Sequence, residues 1–424
     1  MIDIKLFREN PDIIRASQKK RGLETKQIDE VIKLDASWRK KLQEADKLKH
    51  KRNIVTEKIA ELKKKGKDAK KEIKEMKKVA DEISELDSEL KELENKRDSL
   101  RMNIPNMLHE TVPVGKDDSA NVPINFWGAK PRFNFTLKGH EEIAEKLGLL
   151  DIERAGKISG ARFAYLLGDL VILDMALQRF AMDHMTKKGF TPVEPPFVMR
   201  KKPYEGVTSL GDFIDVMYKI ENEDLYLIAT SEHPLVARFM NETLNEKDLP
   251  MKFVGISSCF RKEAGAHGKD TKGIFRTHQF NKVEQIVFSK PEESWDWFEK
   301  LQRNTEEIFE QLGLHFRVVN ICTGDMGSIA AKRYDIEVWM PVQGKYREVT
   351  SCSNTLDYQA NRLNVRFVDK DNEKKSVHIL NNTVIATGRA MVAILENFQK
   401  EDGAVAIPKA LWPYTGFKEM VPKK

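Results

Sequence analysis

Between Gln27 and Arg101, apolar residues recur at heptad-like steps in an otherwise charged chain. The first series runs Val31, Leu34, Trp38, Leu42, Ala45, Leu48, Val55, Ile59 and Leu62; the second runs Ile73, Met76, Ala80, Ile83, Leu86, Leu90, Leu93 and Leu100. A narrow apolar stripe of this step is the seam of a coiled coil. The stretch holds no proline, and its one glycine, Gly66, sits in Lys63-Lys64-Lys65-Gly66-Lys67 between the two series. Each series covers about 35 residues, or roughly 50 Å of helix at 1.5 Å per residue, so the pattern predicts a long antiparallel helical hairpin, an arm. The preceding 26 residues predict a short helical cap around Leu6, Ile13, Ile14 and Leu23.

The period changes after Asn103-Ile104-Pro105-Asn106, which stops the second helix. The segment to about Pro131 is rich in Pro, Gly, Asn and Asp and reads as a linker with some packed residues. A short helix begins near Glu141 and ends at Lys146-Leu147-Gly148. A longer one, with Val171, Ile172, Met175, Ala176, Phe180 and Met182 on its apolar side, ends at Gly189, and Phe190 to Pro196 follows as a strand. Alternating stretches at Leu225–Ala229, Phe316–Val319, Asp335–Met340, Lys345–Ser351 and Asn381–Ala386 read as strands, with helices near 292–312 and 390–399. Many antiparallel strands flanked by helices predict an α+β domain. The expected organisation is an arm-bearing domain over 1–102, a linker over 103–134 and a catalytic domain over 135–424.

Composition changes this picture little. With 424 residues, of which 40% are hydrophobic, two or three domains with a sizeable core are expected. No apolar run is long enough to cross a bilayer and Met-Ile-Asp-Ile-Lys is unlike a signal peptide, so a soluble, cytoplasmic protein is expected, with no membrane partner. Cys259, Cys322 and Cys352 form no Cys-x-x-Cys pair and suggest neither a disulfide framework nor a zinc ribbon. The net charge of +6 is modest, but its distribution is uneven. The distal third of the arm holds Lys58, Lys63, Lys64, Lys65, Lys67, Lys70, Lys71, Lys74, Lys77 and Lys78 against Glu61, Asp68, Glu72 and Glu75. Such a tip suits sequence-independent contact with a phosphate backbone, and equally a solvated coiled-coil face.

Candidate chemistry concentrates between Phe253 and Phe288, which reads as two strands joined by a loop over Ala264–Gly273 containing Gly265, Gly268 and Gly273. Period two puts Arg261 and Glu263 on one face of the first strand, and Arg276, Phe280 and Glu284 on one face of the second. An aromatic ring among arginines and carboxylates suits a nucleotide, which needs a stacking plane, phosphate donors and acceptors for an amino group. A half-solvated hairpin with incidental ion pairs would look the same. Thr230-Ser231-Glu232 ends a strand and starts a helical pattern, where capping is the simpler reading. Glu348 and Ser351 offer hard oxygens of the kind magnesium takes. Arg389 stands at a helix start, where the dipole disfavours a cation unless an anion binds beside it. No G-x-x-x-x-G-K-[ST] loop is present.

Phe260-Arg261-Lys262-Glu263, a loop, then Gly273-Ile274-Phe275-Arg276-Thr277-His278-Gln279-Phe280 and Val283-Glu284-Gln285 resembles motif 2 of the class II aminoacyl-tRNA synthetases, in the form seen in the seryl-tRNA synthetases. Thr230-Ser231-Glu232, Arg347-Glu348 with Ser351-Cys352-Ser353, Leu380-Asn381-Asn382-Thr383 and Thr387-Gly388-Arg389 follow in that family's order, and the helix and strand ending at Pro196 resemble motif 1, its homodimer interface. The resemblance covers essentially the whole chain. It implies a class II antiparallel sheet preceded by a tRNA-binding helical arm, with ATP and Mg²⁺ used to activate L-serine. By resemblance, Arg261 serves the α-phosphate, Glu263 and the backbone at Thr277 the adenine, Phe280 stacking, and Arg389 the outer phosphates. Lys262, Arg276, Val349 and Thr350 complete the ATP set, with Glu348 and Ser351 at its metal. Thr230, Ser231, Glu232, Arg261, Glu284 and Thr383 are implied for serine, with Glu232 receiving the ammonium group. Lys63, Lys64, Lys65, Lys67, Lys70 and Lys71 are implied for tRNA(Ser), with tRNA(Sec) a further candidate. An inactive paralogue that only binds RNA is the alternative; a ligase loading a carrier protein would lack the arm.

Overall fold

The heptad pattern folds into the two longest helices of the molecule, α1 (Lys26–Lys64) and α2 (Lys70–Asn103). The computed structural model describes residues 1–209, 216–263 and 272–422, in two units, Met1–Pro105 and Asn106–Lys424. In the first, Val31, Ala45 and Val55 of α1 and Val79, Ile83 and Leu90 of α2 are buried in the seam. Val79, and not the expected Ala80, takes the seam position, and Ile73 is 47% exposed. The phase is set by Ala69, buried at the turn. Steps of seven, three and four from it reach Met76, Val79 and Ile83.

Arg97 occupies a seam position near the arm's base, where a further apolar residue would continue the pattern. The Asp35 side chain, 2% exposed, meets it. Asp35 accepts two 2.8 Å bonds from Arg8, one of 3.2 Å from Arg97 and one of 3.1 Å from Arg39. Burial alone would push this carboxyl up; Arg8, Arg97 and Arg39 together hold it below its ordinary value. The two short N-terminal helices, Ile4–Glu9 and Pro11–Lys20, bury Phe7 and Ile14, while Ile13 and Leu23 are exposed.

The second unit is built on an eight-stranded sheet. In chain order its strands are β1 (Val122–Trp127), β2 (Thr191–Val193), β3 (Met251–Phe260), β4 (Gln279–Ser289), β5 (Phe316–Asn320), β6 (Lys332–Met340), β7 (Lys345–Asn354) and β8 (His378–Ala386). Their spatial order is β1-β5-β6-β7-β8-β4-β3-β2. All pairs are antiparallel except β2 with β3. Part of the stretch expected as a linker is therefore an edge strand. Asn106 also ties down there, its amide donating to the carbonyls of Ile329 and Thr355.

Period two sorts β4. Val283 and Val287 join the main core with α4 (Asp169–Lys187), α6 (Ser294–Gln311) and α7 (Thr387–Asn397), and buried Gln285 donates to Leu301 and Thr305 of α6. Ile286 and Phe288 join a second cluster with Phe253 and Ile379. Between these, Phe280, Lys282 and Glu284 share the parity of Ile286 but line a cavity. Two shorter helices complete what the site needs: α3 (His140–Lys146) and α5 (Glu232–Ala237).

Candidate active site

The cavity encloses about 420 Å³ on the sheet face opposite α6. Its floor is β4 with its neighbours, because Glu284 pairs with Thr383 of β8 on one side and Gly255 of β3 on the other. At one end Glu284 accepts the Thr383 hydroxyl at 3.1 Å and forms a buried ion pair with Lys282. Glu232, first residue of α5, accepts from Asn381 at 3.2 Å and Gln359 at 3.3 Å. Burial pushes the Glu232 carboxyl up, and Glu284 pushes it further, to about 7 despite the opposing charge of Lys282. Thr230 does act locally on the helix start, its hydroxyl accepting from the Glu232 N–H at 3.1 Å. His233 is driven down to about 3, mainly by burial and then by Lys282 and Arg261, so it is neutral; its Nδ1 lies 3.0 Å from the Tyr204 hydroxyl.

The other end is arginine-rich. Arg261 follows β3, bonds the Ala229 carbonyl at 3.3 Å and lies 5.2 Å over the Phe280 ring. Arg276 pairs with Glu263 at 2.9 Å. Across from them Arg389, on the first turn of α7, donates to both the carbonyl and the carboxylate of Glu348, each at 3.1 Å. Burial would raise Glu348, but Arg389, then Arg333 and Arg261, hold it down at about 2. Asp335, paired with Arg333 behind Ser351, goes the other way: burial and Glu348 lift it to about 7.

Strand alternation does not account for this end as expected. β3 stops at Phe260 and β4 starts at Gln279, so Arg261, Glu263 and Arg276 lie beyond the sheet. Residues 272–276 bend instead, with Gly273 at φ +71°, a conformation that favours glycine. The loop expected over Ala264–Gly273 lies outside the described residues except for Lys272 and Gly273.

Of the residues singled out from the sequence, the cavity brings together Thr230, Glu232, Arg261, Glu263, Arg276, Thr277, Phe280, Glu284, Glu348, Val349, Thr350, Ser351, Thr383 and Arg389. Two stand apart. Ser231 is fully buried behind Gly255, and the Lys262 ammonium lies over Tyr218 at 5.9 Å. No role was assigned from the sequence to Lys282, Asn381 and Arg333, which also line it, or to Phe275, held beneath Arg347 at 4.1 Å and Arg389 at 5.4 Å. Lys282 could have been found, since it shares the parity of Phe280 and Glu284. Among the described residues, no group of three or more His, Cys, Asp or Glu could enclose a metal.

Among the tip lysines, Lys63, Lys64, Lys65, Lys67, Lys70 and Lys71 are all exposed. Lys58 is tied to Glu72 at 3.0 Å, Lys65 approaches Glu61 at 3.7 Å, and no ion pair engages the other five among the described residues.

Comparison with known proteins agrees with this geometry. Residues 217–398 match the model of the tRNA synthetase class II core domain (G, H, P, S and T), and residues 1–108 that of the seryl-tRNA synthetase N-terminal domain. The chain is 55% identical to a serine–tRNA ligase of Thermococcus sibiricus, over 100% of this chain and 98% of that protein. The crystal structure of seryl-tRNA synthetase from Pyrococcus horikoshii complexed with ATP superposes with a TM-score of 0.93 at 53% identity, covering 100% of both chains. That of the cytoplasmic serine–tRNA ligase from Naegleria fowleri in complex with AMP gives 0.88 at 36%, covering 100% of this chain and 99% of that one. With both halves of the chain and the whole of its length accounted for in this way, it belongs to the seryl-tRNA synthetases, ligases of class II.

Proposed function

We propose that this chain condenses L-serine with ATP to seryl-adenylate in the 420 Å³ cavity and transfers the seryl group to the terminal adenosine of tRNA(Ser), with tRNA(Sec) a further substrate. The observation that carries this reading is the division of one cavity into a small acidic end and an arginine-rich end. At the acidic end Glu232 takes the substrate ammonium. An arriving cation favours the ionised form of a carboxyl poised near 7, so binding and deprotonation reinforce each other. The Thr383–Glu284 pair takes the serine hydroxyl.

Arg261 reaches both ends, and so can orient the serine carboxylate and the α-phosphate together. The carboxylate is ionised at neutral pH, so its attack on phosphorus needs alignment and charge neutralisation more than a general base. Phe280 offers a stacking plane for adenine, Glu263 and the Thr277 backbone its polar contacts, and Arg276 and Arg389 hold the outer phosphates. The Arg276–Glu263 and Arg389–Glu348 pairs then have to loosen to admit them. Glu348, kept anionic, and the Ser351 hydroxyl would hold the Mg²⁺ that accompanies ATP, which supplies further neutralisation of phosphate charge. Pyrophosphate leaves, and a ribose hydroxyl of tRNA attacks the adenylate carbonyl to give seryl-tRNA and AMP. An inactive paralogue would have no need of so complete a set of charges around one cavity.

The arm, within a tRNA-binding domain over residues 1–102, is assigned to tRNA through its exposed tip lysines. A homodimer is supported by α4, on which Met175 is 60% and Ile172 41% exposed, beside a groove formed with Met182, Pro192 and Ile256. No described helix is long and apolar enough to cross a membrane, and the proposed location is the cytoplasm. Serine-dependent exchange of pyrophosphate into ATP tests the reading: exchange with serine and not with alanine is expected, and no exchange with any amino acid would refute it.

A further inference from the structure

One buried ionisable set next to the cavity has no part in these roles. His140, at the start of α3, is 6% exposed, and Glu396, on α7, is 1% exposed. The backbone N–H of Ile274 donates to His140 Nε2 at 3.3 Å. That nitrogen therefore carries its lone pair, and the ring proton sits on Nδ1. Nδ1 faces Glu396 Oε1 at 3.3 Å and Glu141 Oε2 at 3.1 Å, two acceptors that fix this tautomer. The other Glu396 oxygen has no hydrogen-bond partner among the described residues, so this buried carboxylate is committed to His140.

The contact falls on a short, functionally placed segment. Gly273, at φ +71°, would put a Cβ 1.9 Å from His140 Nε2, so the close approach excludes any side chain there. The Ile274 carbonyl rests against α7 as well, 3.0 Å from where a Cβ on Gly388 would stand. Helix α7 thus holds Ile274 at both of its flanking peptides: at its carbonyl directly, beside Gly388, and at its N–H two turns on, through Glu396 and His140. The next two residues are Phe275, under Arg347 and Arg389, and Arg276, paired with Glu263. Arg389 rides on the same helix.

We propose that His140, backed by Glu396, is a positioning residue for ATP: it locks residues 273–276 to α7 so that Arg276 and Arg389 face the nucleotide at a fixed separation. The inference rests on the nucleotide being bound at the arginine-rich end of the cavity. It touches no reacting atom.

The test is serine-dependent pyrophosphate exchange by the full chain. His140→Ala should raise the KM for ATP about tenfold or more, as misplacement of binding groups does, while leaving the KM for serine within about twofold. His140→Gln, whose carboxamide can accept from Ile274 and donate towards Glu396, should recover most of the loss. Gly273→Ala strikes the same contact from the other side without emptying the core, and should reproduce the ATP-specific rise even if His140→Ala does not fold. An unchanged KM for ATP in these variants with only a lower Tm, or an equal rise for serine, overturns the proposal. Arg276→Ala serves as the reference: if it too leaves the KM for ATP unchanged, the placement of the nucleotide fails instead.

Discussion

The arm and the catalytic unit use the same charged residues under opposite conditions. On the arm, cross-helix pairs such as Lys49–Asp87 at 3.0 Å, Lys51–Glu75 at 2.8 Å and Lys58–Glu72 at 3.0 Å stand largely in solvent. Pairs of this kind contribute little and are screened by salt, so the arm's cohesion rests on its apolar seam. In the cavity, Lys282–Glu284 is buried, Arg333–Asp335 nearly so and Arg389–Glu348 part-buried, and ionisation shifts among them, Glu232 and Asp335 up to about 7 and Glu348 down to about 2. Exposed charge thus suits long-range, sequence-independent attraction to a polyanion, whereas enclosed charge suits recognition of one small molecule.

If that division is right, the deepest cut comes from Arg389→Ala. Loss of a charged donor to the phosphates should cost about 3 kcal/mol or more, reducing exchange at least a hundredfold. tRNA affinity, measured by filter binding, should hardly change. Asp35→Ala is the matching change on the arm. It removes the acceptor shared by Arg8, Arg39 and Arg97, the last of which keeps Asp98 and Glu94, and should destabilise the first unit by about 2 kcal/mol, as loss of charged hydrogen bonds does. Thermal melting should show this while exchange by the folded protein stays normal.

Smaller effects sharpen the comparison inside the cavity. Thr383→Val leaves the Glu284 oxygen without its hydroxyl donor and should weaken serine activation by roughly 1–3 kcal/mol. Alanine should be rejected strongly by the unmodified protein, since the pocket's polar groups would be left unpaired. The pH dependence has a definite sign. Glu232 is raised to about 7, so it loses its charge as pH falls through that value, and the KM for serine should climb by about tenfold in all between pH 8 and pH 6. On the arm, glutamine at Lys63, Lys64, Lys65, Lys67, Lys70 and Lys71 should weaken tRNA binding and flatten its salt dependence, because fewer counterions are released, and leave pyrophosphate exchange unchanged.

The two regions also differ in how far they could be read from the chain. The arm's helices, its reversal near Gly66 and most of its seam follow from a local period. The exceptions are positions where a partner far off in sequence decides: Arg97 sits in the seam because Asp35, 62 residues away, faces it. In the catalytic unit the residue types were legible at Arg261, Phe280, Glu284, Glu348 and Arg389, but their mutual placement was not. Glu348 meets Arg389 across 41 residues, and His140 meets Glu396 across 256. Arg276 faces the cavity through a glycine bend and not through strand parity. The edge strand Val122–Trp127 carries a visible alternation of Val122, Ile124 and Phe126, masked by the Pro and Asn between them.

The central claim is that adenylate chemistry belongs to residues 106–424 and tRNA recognition to the arm. Replacing Asp29 to Leu100 with a short linker, and measuring pyrophosphate exchange and tRNA charging on the same preparation, tests it most directly. Exchange should stay within about twofold of the full chain while charging falls by a hundredfold or more, since only the arm's phosphate contacts are lost. Charging that survives the replacement, or exchange that collapses along with it, would contradict the division.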